Sequence, residues 1–534
     1  MNQPNTDSAP ESTASDLLFR RVVVIGTPFS TRSILAEFSS GDHGFRPVGS
    51  LLEMAPEGEL PSGVLGTFAD LATLHAANPF TLAIVSLPRS RDDLAGPIFA
   101  ELALLGIPER RIAPFAEQLG IGEPVRTKPA VRASIANGEI DMVDLIGRTP
   151  CAIDRDAVAA AIEGRRVMIT GAGGSIGSEI ARIAATFRPS QLVLMERSEN
   201  ALFEIDRQIA RRFPGLARRA ILHDVTDAEQ TLRMCVQVRP QVVFHSAAHK
   251  HVPLMEDHPS HAVQNNVFGT KSIADAAQAV GAERFVMISS DKAVNPTSVM
   301  GATKRLAEMY VQALHRHSLG RTNATSFSMV RFGNVLGSAC SVLPIWQAQL
   351  AEGGPLTVTD ARMTRFFMTI HEAAILVIQS AAIDTRLADA ASVYVLDMGE
   401  PVRILDLARR FADVHGFDAV VEDEAFEPDG RPRMDIRLTG ARAGEKLFEE
   451  LAYAAEALRE TPFAGIHAWA GSLPTDFDVH GMIADLASVR HHAPKDLALA
   501  MIRLHCPEMT GGSPMPEIKG KPLALENASA LAAA

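Results

Sequence analysis

Short runs of apolar residues recur along the chain, separated by polar stretches and by helical patterns. Val22–Ile25 is followed by a glycine and a helical pattern, and a second run lies at Leu82–Val85. Continuous apolar runs of this length are typical of buried parallel strands, so residues 17–125 predict a small Rossmann-like α/β domain. Its first turn, residues 26–31, keeps only Gly26, whereas a dinucleotide site needs several glycines there. We therefore predict a structural or regulatory role for this domain.

A second and longer α/β pattern begins at residue 165. Its predicted strands, separated by helical patterns, are Val167–Thr170, Leu192–Met195, Ala220–Leu222, Val242–Phe244, Phe285–Ile288 and Ser326–Val330. This alternation predicts a doubly wound parallel sheet with helices on both faces. We assign residues 165–340 to a cofactor-binding catalytic domain. The less regular pattern over 341–506 predicts mostly a smaller substrate-binding lobe.

The remaining segments lack a regular apolar pattern. Residues 1–16 predict a disordered N-terminus, 126–164 a connector, and 507–534 a flexible tail. Nowhere do about 18 apolar residues run together, so no transmembrane segment is predicted. The N-terminus also lacks the basic and apolar regions of a signal peptide.

Composition and charge narrow the function. The net charge of −12, without a cluster of lysine and arginine, argues against a nucleic-acid partner. The four cysteines lie far apart, form no CxxC pair and suit a reducing cytoplasm. His245, His249 and His251 lie too close together on one strand end to predict zinc, and no cysteine joins them.

A glycine-rich turn follows the first strand of the second unit. It reads TGAGGSIG, in which Gly171, Gly174 and Gly177 have the spacing GxxGxxG of short-chain dehydrogenase folds. We expect Gly171 to permit the tight turn, Gly174 to let backbone N–H groups face a phosphate, and Gly177 to let the helix pack closely. Ser175 and Ile176 begin that helix, whose N-terminus favours an anion such as a pyrophosphate.

Residues at the ends of the next strands predict the rest of a dinucleotide site. Glu196 lies 25 residues after Gly171 and is suited to bind the adenosine ribose, which favours NAD. Arg197 offers a partner for a 2′-phosphate, so NADP is the less favoured alternative. The further predicted cofactor contacts are Asp224, Val225, Ala247 and Ala248.

The segment after the fifth predicted strand carries the candidate catalytic residues. Short-chain dehydrogenases place a serine or threonine here, followed by YxxxK on one face of the next helix. This chain keeps the lysine, Lys304, but has Met300 at the tyrosine position, and methionine cannot exchange a proton. We therefore expect the adjacent Asp291 and Lys292 to do the acid–base work.

An adjacent acid and amine beside a nicotinamide suit a nucleotide-sugar 4,6-dehydration. A hydride moves from C4 of the sugar to NAD, which acidifies the C5 proton. A base removes that proton while an acid protonates the departing 6-hydroxyl, and the hydride returns to C6, so that NAD stays bound and is recycled. Catalysis needs a neutral amine and a protonated carboxyl, and we expect desolvation in a dry site to favour both.

Several longer stretches carry a family resemblance. They are TGAGGSIGSE (170–179), AAHKHVPLME (247–256), NNVFGT (265–270), SSDKAVNPTSVMGATKR (289–305), RFGNVLGS (331–338) and ARAGEKLFEEL (441–451). With these stretches the chain resembles the polysaccharide-biosynthesis nucleotide-sugar 4,6-dehydratases, typified by bacterial UDP-N-acetylglucosamine 4,6-dehydratases of the extended short-chain dehydrogenase fold. The resemblance covers about residues 20 to 505. Large members usually carry transmembrane helices before the first α/β domain, so we expect a large form without them, in the cytoplasm.

The resemblance implies roles for individual residues. Asp291 would be the general acid and Lys292 the C5 base. Ser290 would hydrogen-bond the 4-hydroxyl, and Lys304 would bind the nicotinamide ribose. The residues expected near the nucleotide sugar are Lys250, His251, Asn334 and Arg442, the last as a pyrophosphate ligand. A water held by Ser290 and Lys304 is one hypothesis for the group that takes the C4 hydroxyl proton.

Two alternatives to the dehydratase stay open. A nucleotide-sugar epimerase needs no acid for C6 and normally keeps the tyrosine, so Met300 argues against it. A non-catalytic NAD-binding regulatory protein would use the cofactor site without the acid–base pair. We expect a UDP-sugar substrate and a homo-oligomer. The exact sugar, a possible epimerisation at C5 and the role of the first domain are left open.

Overall fold

A computed structural model describes residues 20–39, 45–52, 63–87, 92–112, 151, 153–321, 324–385, 393–422, 432–442, 444–453, 458–469 and 477–510. The predicted disordered N-terminus lies outside the described residues, as do most of the predicted connector and most of the predicted tail. Among the described residues, no helix is both long and apolar enough to cross a membrane.

The first unit is a five-stranded parallel sheet in the order β3-β2-β1-β4-β5. Its elements are β1 (Arg20–Gly26), α1 (Pro28–Ser39), β2 (Phe45–Leu52), β3 (Val64–Thr67), α2 (Leu71–Ala77), β4 (Leu82–Ser86), α3 (Asp92–Leu104) and β5 (Glu109–Arg111). The two predicted strands are confirmed as β1 and β4, whose side chains form the core of this unit with Leu71 and Ile98.

The second unit is built on a nine-stranded sheet in the order β20-β21-β16-β11-β10-β9-β6-β7-β8. Its strands are β6 (Arg166–Thr170), β7 (Gln191–Glu196), β8 (Arg218–Leu222), β9 (Val242–His245), β10 (Arg284–Ile288), β11 (Ser326–Arg331), β16 (Val393–Leu396), β20 (Leu458–Glu460) and β21 (Ile466–Trp469). In the order of the sheet, all neighbours from β8 to β16 pair in parallel. At the other edge, β21 pairs antiparallel with β16, and β20 pairs antiparallel with β21. All six predicted strands are present.

The strand order reverses between β6 and β9. From β6 the chain adds β7 and β8 on one side, and it then returns to place β9, β10 and β11 on the other side. In doubly wound sheets a ligand binds in the crevice at the carboxyl ends of the strands at such a point. The glycine turn follows β6, so this topology places it at that crevice.

Helices cover the second sheet and the region around it. They are α4 (Arg155–Ile162), α5 (Ser175–Thr186), α6 (Glu199–Arg212), α7 (Ala228–Val238), α8 (Val252–Asp257), α9 (Pro259–Ala262), α10 (Gly269–Ala279), α11 (Val299–Ser318), α12 (Val342–Ala351), α13 (Ile370–Ser380), α14 (Ile404–Val414), α15 (Val479–Ala487) and α16 (Lys495–His505). A π-helical turn at Val263–Phe268 precedes α10. Helix α13 is buried along its length from Glu372 to Ser380, as its apolar sequence predicts.

Residues beyond 341 divide between the large sheet and a smaller lobe. The lobe contains three small sheets, formed by β12 (Asn334–Leu336) with β15 (Phe367–Thr369), β13 (Leu356–Val358) with β19 (Arg433–Leu438) and β18 (Asp418–Val421), and β14 (Thr364–Arg365) with β17 (Val402–Arg403). In contrast, β16, β20 and β21 extend the catalytic sheet itself. The predicted domain boundaries stay predictions, but the sequence division at 341 is not a division between sheets.

The two α/β units are in direct contact. Leu104, at the end of α3, belongs to the main core of the second unit. His371 Nε2 is 3.0 Å from the carbonyl oxygen of Leu104, and its Nδ1 is 2.7 Å from Glu179 Oε1 on α5. Arg155 and Glu101 form a further ion pair at 2.8 Å. Apolar packing and charged pairs therefore join the first unit to the helix that follows the glycine turn.

Candidate functional site

The glycine turn between β6 and α5 is packed so closely that side chains are excluded. Gly171 has a φ of +67°, the left-handed region that favours glycine. A Cβ on Gly177 would lie 2.1 Å from the carbonyl oxygen of Gly171, so the helix could not approach the turn. A Cβ on Gly173 would lie 2.4 Å from the Cβ of Ala201, whereas one on Gly174 would lie 3.3 Å from its nearest neighbour. Gly173, which the motif spacing does not single out, is therefore more constrained than Gly174.

A cavity of about 270 Å³ opens beside this turn. It is lined by Gly171, Gly173, Gly174, Met195, Glu196, Arg197, Ala201, His223, Asp224, Val225, Ser246, Ala247, Ala248, His249 and Asn265. Eight of these residues are predicted cofactor contacts, which follow the ends of four different strands, and the fold brings them together. We call this the adenosine cavity, after the half of a dinucleotide that it suits.

The charged residues of the adenosine cavity are held by local bonds. The carboxylate of Glu196 accepts hydrogen bonds from the backbone N–H groups of Gly173 at 3.1 Å and Arg197 at 2.9 Å. Arg197 donates to Asn265 Oδ1 at 3.3 Å and lies 3.9 Å from Asp224 Oδ2. Glu196 thus fixes the loop that carries it, and its carboxylate is held at the wall of the adenosine cavity.

A second cavity, of about 650 Å³, continues from the first and shares Gly174, Ser246, Ala248 and His249 with it. The predicted site residues in its wall are Ser175, Ile176, Gly177, Lys250, His251, Ser290, Lys292, Met300, Lys304 and Asn334. We call this the sugar cavity. It extends to the smaller lobe, which contributes Arg365, Phe367, Gly444 and Glu449. The sequence-predicted catalytic residues therefore lie between the glycine turn and the lobe.

The segment Ser289–Lys292 follows β10 directly and forms a tight turn. Asp291 is fully buried and lies behind the cavity wall rather than in it. Its Oδ1 accepts hydrogen bonds from Ser290 Oγ at 2.9 Å and Lys292 Nζ at 3.1 Å. Its Oδ2 is buried and has no hydrogen-bond partner among the described residues. A buried oxygen of this kind can carry the proton of a carboxylic acid.

Lys292 differs in charge from the sequence-based expectation. Burial alone would lower the pKa of Lys292, but the carboxylates of Asp291 and Glu449 raise it above its ordinary value. The raised pKa favours the ammonium form of Lys292, whereas the predicted C5 base needs a lone pair. Desolvation was expected to dominate, but the charge of Asp291 and, after it, that of Glu449 raise the pKa instead.

Helix α11 carries Met300 and Lys304 to the sugar cavity. A Cβ on Gly301 would lie 2.1 Å from the carbonyl oxygen of Lys292, so glycine permits the close approach of this helix. Lys304 Nζ donates to the carbonyl oxygen of Ile288 at 2.7 Å. Burial lowers the pKa of Lys304 to about 8, against the attraction of Glu308. Met300 lies in the cavity wall and is almost fully buried.

A buried ion pair between Glu308 and Arg331 contacts the start of the catalytic turn. Glu308, one turn beyond Lys304, accepts two hydrogen bonds from Arg331, at 2.7 and 2.6 Å, and both side chains are fully buried. Ser289 Oγ donates to Glu308 Oε1 at 2.7 Å. Burial alone would raise the pKa of Glu308, but Arg331 holds it below its ordinary value. The pair therefore links α11 and β11 to the start of the catalytic turn.

The residues expected near the nucleotide sugar have different positions. Lys250 and His251 line the sugar cavity, and Lys250 Nζ donates to the carbonyl oxygen of Ala339 at 2.7 Å. Asn334 also lines it, but its Oδ1 accepts from Lys292 Nζ at 3.1 Å. Arg442 is exposed and is not in the wall of either cavity. Its role as a pyrophosphate ligand stays a prediction.

The predicted absence of a zinc site concerns three histidines near the end of β9. His245 is buried, its Nδ1 lies 2.8 Å from Thr170 Oγ1 and its Nε2 2.9 Å from Thr270 Oγ1. Burial lowers the pKa of His245 to about 3 and, with Arg197 nearby, that of His249 to about 4. No cluster of three metal-ligating side chains occurs within the ranges of the chain that the structure describes.

Sequence reasoning missed two charged residues of the site. Arg365 and Glu449 lie in the wall of the sugar cavity, and Glu449 Oε1 is 3.5 Å from Lys292 Nζ. Glu449 lies in the motif ARAGEKLFEEL, but the motif alone does not show which of its acidic residues faces the lysine. Arg365 lies outside the motifs, so its place could be found only from the fold.

The doubly wound sheet, the GxxGxxG turn at its switch point and the lysine of α11 are the features of extended short-chain dehydrogenases and reductases. Comparison with known proteins then gives the family. Residues 167–470 match the model of the family described as "Polysaccharide biosynthesis protein", and the chain belongs to that family.

Several relatives are similar to this chain. The "Probable polysaccharide biosynthesis protein EpsC" of Bacillus subtilis is 41% identical over 388 residues, which cover 72% of this chain and 59% of that protein. A "UDP-N-acetylglucosamine 4,6-dehydratase (inverting)" of Campylobacter jejuni is 29% identical over 290 residues, 54% of this chain and 77% of that protein. A "UDP-glucose 4-epimerase" of Rickettsia canadensis is also 29% identical, over 54% of this chain and 77% of that protein. The chain is thus related to both sugar dehydratases and sugar epimerases.

Among solved structures, Pen from Bacillus thuringiensis is similar, with a TM-score of 0.50 and 29% identity, covering 59% of this chain and 90% of that one. The chain spans 59% and 49% of the length of two of the polysaccharide biosynthesis relatives that it matches.

Proposed function

We propose that this chain catalyses the 4,6-dehydration of a nucleotide sugar, with UDP-N-acetylglucosamine as the expected substrate and NAD as a bound, recycled cofactor. The observation that carries the proposal is the pair Asp291–Lys292, joined at 3.1 Å, in which Lys292 lines the sugar cavity and Asp291 lies directly behind its wall. Met300 stands in the same wall where a catalytic tyrosine would stand. The product would serve surface polysaccharide or glycan biosynthesis. A cytoplasmic homo-oligomer is part of the proposal.

The residues of the adenosine cavity suit NAD. The glycine turn leaves room only for backbone atoms, Glu196 disfavours a 2′-phosphate, and Lys304 would bind the nicotinamide ribose. The other predicted contacts, Asp224, Val225, Ala247 and Ala248, line the same cavity. When bound, NAD would accept and return the hydride of the dehydration.

The chain's own residues would move the protons. A transfer from Lys292 Nζ to Asp291 Oδ1 along their hydrogen bond would give the neutral amine and the protonated carboxyl that elimination needs. The amine would then take the C5 proton while Asp291 protonates the leaving 6-hydroxyl, for which Asp291 would have to reach the cavity from behind its wall. Ser290 would hydrogen-bond the 4-hydroxyl, and a water between Ser290 and Lys304 is the proposed acceptor of its proton.

The UDP-sugar would lie in the sugar cavity. Lys250 and His251 lie on the side of the glycine turn, and Arg365 on the side of the smaller lobe. Lys250 Nζ donates a hydrogen bond to the carbonyl oxygen of Ala339, and this bond would break when Lys250 binds the nucleotide sugar. Arg442 would have to move toward the cavity to reach a pyrophosphate.

Epimerisation is the second candidate, because the epimerase relative is as similar as the dehydratase. An epimerase has no use for an acid and a base at C5 and C6, and it needs a group that exchanges the C4 hydroxyl proton. Met300 cannot do this, which favours the dehydratase. A non-catalytic NAD-binding protein would not require the buried Asp291 to contact Lys292.

Incubation of the purified protein with UDP-N-acetylglucosamine, followed by mass spectrometry, tests the proposal. We expect a product that has lost one water. A product of unchanged mass with inverted C4 would contradict dehydration and support the epimerase. No reaction with any nucleotide sugar, despite NAD binding, would support the non-catalytic alternative.

Asp291→Asn tests the role of the acid. We expect turnover to fall by at least about 100-fold, because an amide cannot give a proton to the leaving hydroxyl. Asp257→Asn is a matched control, because Asp257 is exposed and pairs with Lys495 at the surface, away from the cavity wall. If Asp291→Asn retains full turnover, the assigned role is wrong.

A further inference from the structure

A second carboxylate lies against the candidate catalytic lysine. Glu449 Oε1 is 3.5 Å from Lys292 Nζ and 3.8 Å from Arg365 Nε, and the Glu449 side chain is only 3% exposed. Its Oε2 is buried and has no hydrogen-bond partner among the described residues. A buried carboxylate is stable only beside counter-charges, and here Lys292 and Arg365 provide them.

Glu449 completes the coordination of the lysine. An ammonium group has three N–H donors. Lys292 Nζ has three oxygen neighbours: Asp291 Oδ1 at 3.1 Å, Asn334 Oδ1 at 3.1 Å and Glu449 Oε1 at 3.5 Å. Without Glu449, one of the donors would lose its charged partner. The carboxylates of Asp291 and Glu449 and the cationic groups of Lys292 and Arg365 thus form a cluster whose formal charges cancel.

The segment that carries Glu449 is fixed to the catalytic turn. Lys446 Nζ donates to the carbonyl oxygen of Val294 at 2.9 Å, and Thr297 Oγ1 donates to that of Gly444 at 2.9 Å. Arg365 donates to the carbonyl oxygens of Lys446 at 2.8 Å and Leu447 at 3.2 Å. These bonds join the smaller lobe to the turn after β10, so the distance from Glu449 to Lys292 is set by a rigid frame.

We propose that Glu449 is a positioning residue of the dehydration. Its carboxylate holds Lys292 as an ammonium in the resting site and stabilises the ammonium that forms when Lys292 takes the C5 proton. The inference rests on the proposed function, and it assigns to the smaller lobe a part in the acid–base chemistry of the sheet domain.

The proton balance of the elimination shows where Glu449 acts. The C5–H bond breaks and its proton goes to the lone pair of Lys292, while its electron pair forms the C5–C6 double bond. The C6–O bond breaks, and the hydroxyl leaves as water with the proton of Asp291. The site thus changes from amine and acid to ammonium and carboxylate. Glu449 takes no part in the proton transfer and lies beside the new positive charge.

Removing the charge of Glu449 has two opposite effects. In Glu449→Gln the ammonium of Lys292 loses a counter-charge, so the resting lysine deprotonates at lower pH. For the same reason, the ammonium formed during elimination is less stable and the elimination step is slower. A loss of structure alone would slow the reaction without moving the protonation of the lysine.

The first experiment measures the protonation of Lys292 without turnover. The full chain is treated with acetic anhydride at a series of pH values, and acetylation of Lys292 is quantified by peptide mass spectrometry, since only the amine reacts. We expect the midpoint for Lys292 to shift down by about one pH unit in Glu449→Gln. Glu449→Asp keeps the negative charge but shortens the side chain, so its midpoint should shift by less than that of Glu449→Gln. This variant tests the inference if Glu449→Gln does not fold.

Glu450 offers a matched control. It is the next residue, but its side chain is 45% exposed and pairs with Lys446 at 3.3 Å rather than with Lys292. Glu450→Gln should leave the midpoint of Lys292 at the wild-type value. An unchanged midpoint in Glu449→Gln, or an equal shift in Glu450→Gln, would overturn the inference.

The second experiment uses turnover with a substrate deuterated at C5, which makes elimination limiting. In Glu449→Gln we expect kcat to fall about tenfold. In the pH profile of kcat/KM, we expect the rising limb to move to lower pH. A lower kcat with an unmoved limb would show a structural role only. Because the acetylation experiment needs no substrate, a failure of dehydration in the wild type is separable from a failure of this inference.

Discussion

The two α/β units of this chain begin alike and differ in one turn. Each has a buried parallel strand, a glycine and then a helix: β1 ends at Gly26, and Gly171 directly follows β6. A Cβ on Gly26 would lie 2.3 Å from the carbonyl oxygen of Ser86, and one on Gly171 would lie 2.7 Å from the N atom of Ala247. In both units the glycine thus lets the turn approach the end of the neighbouring strand.

The position four residues after each glycine shows the difference. In the first unit Ser30 is buried, and its hydroxyl donates to the carbonyl oxygen of Ser86 at 2.8 Å and accepts from the N–H of Thr27 at 3.1 Å. In the second unit Ser175 lines the sugar cavity, and its hydroxyl accepts from the N–H of Ala339 at 3.1 Å. A side chain closes the first turn, whereas three further glycines keep the second open. The fold is therefore repeated, and only the second turn is suited to a dinucleotide.

The largest effect is expected from closing the second turn. Gly177→Ala would bring a Cβ to 2.1 Å from a backbone oxygen, so the helix must move away from the turn. We expect NAD affinity to fall at least about 100-fold and the free energy of unfolding to fall by about 3 kcal/mol. Isothermal titration with NAD and denaturant unfolding measure the two effects.

The control for that substitution is Gly215→Ala, because a Cβ on Gly215 has no neighbour within 4 Å. We expect it to change neither quantity measurably. Wild-type NAD affinity in Gly177→Ala would show that the dinucleotide does not use this turn.

An intermediate effect is expected from Glu179 and His371, a pair of the second unit that lies beside its contact with the first. Burial alone would raise the pKa of Glu179, but His371 and Arg182 outweigh it and lower the pKa from 4.5 to about 2. A lowered carboxyl pKa stabilises the fold above pH 4.5, and this stabilisation is lost as the pH falls from 4.5 to about 2. The full shift corresponds to roughly 3 kcal/mol, and we expect about 2 kcal/mol because partial exposure screens the charges.

Acid unfolding of the wild type and of Glu179→Gln measures this contribution. The glutamine variant should be less stable at neutral pH and should lose less stability between pH 4.5 and 2, the window of the Glu179 shift. Parallel acid profiles for the two proteins would exclude the pair as a source of stability.

The smallest effect is expected in the first unit. Ser30→Ala removes the hydroxyl that bridges Thr27 and Ser86, and we expect a loss of about 1 kcal/mol in stability with no change in NAD affinity. Ser175→Ala is its counterpart at the second turn and should weaken NAD binding several-fold. If Ser30→Ala changes NAD affinity as much as Ser175→Ala does, the first unit takes part in cofactor binding.

Much of the fold could be predicted from local pattern. The strands of the second unit are continuous apolar runs, and each predicted run forms a strand. In contrast, β16, β20 and β21 are short, and they join the catalytic sheet from positions far along the chain. Their pairing depends on long-range contacts, which local periodicity does not contain.

The site could be predicted only as far as its residues follow strands or motifs. The glycine turn, Glu196 and Lys292 do so, and the fold brings them to adjoining cavities, whereas Asp291 lies behind the wall. The raised pKa of Lys292 was not fully predictable, because Glu449, which the smaller lobe contributes, adds to the effect of Asp291. Arg442 shows the converse, since its motif suggests a ligand but its side chain lies at the surface.

The central claim is that the cofactor in the second unit is a recycled store for the sugar's own hydride. UDP-N-acetylglucosamine deuterated at C4 tests it most directly, with purified protein, no added NAD and analysis of the product by NMR and mass spectrometry. The account predicts a product that has lost one water and carries the deuterium at C6. A C4 epimer that keeps its deuterium at C4, or turnover that requires added NAD and releases the deuterium on it, would contradict the account.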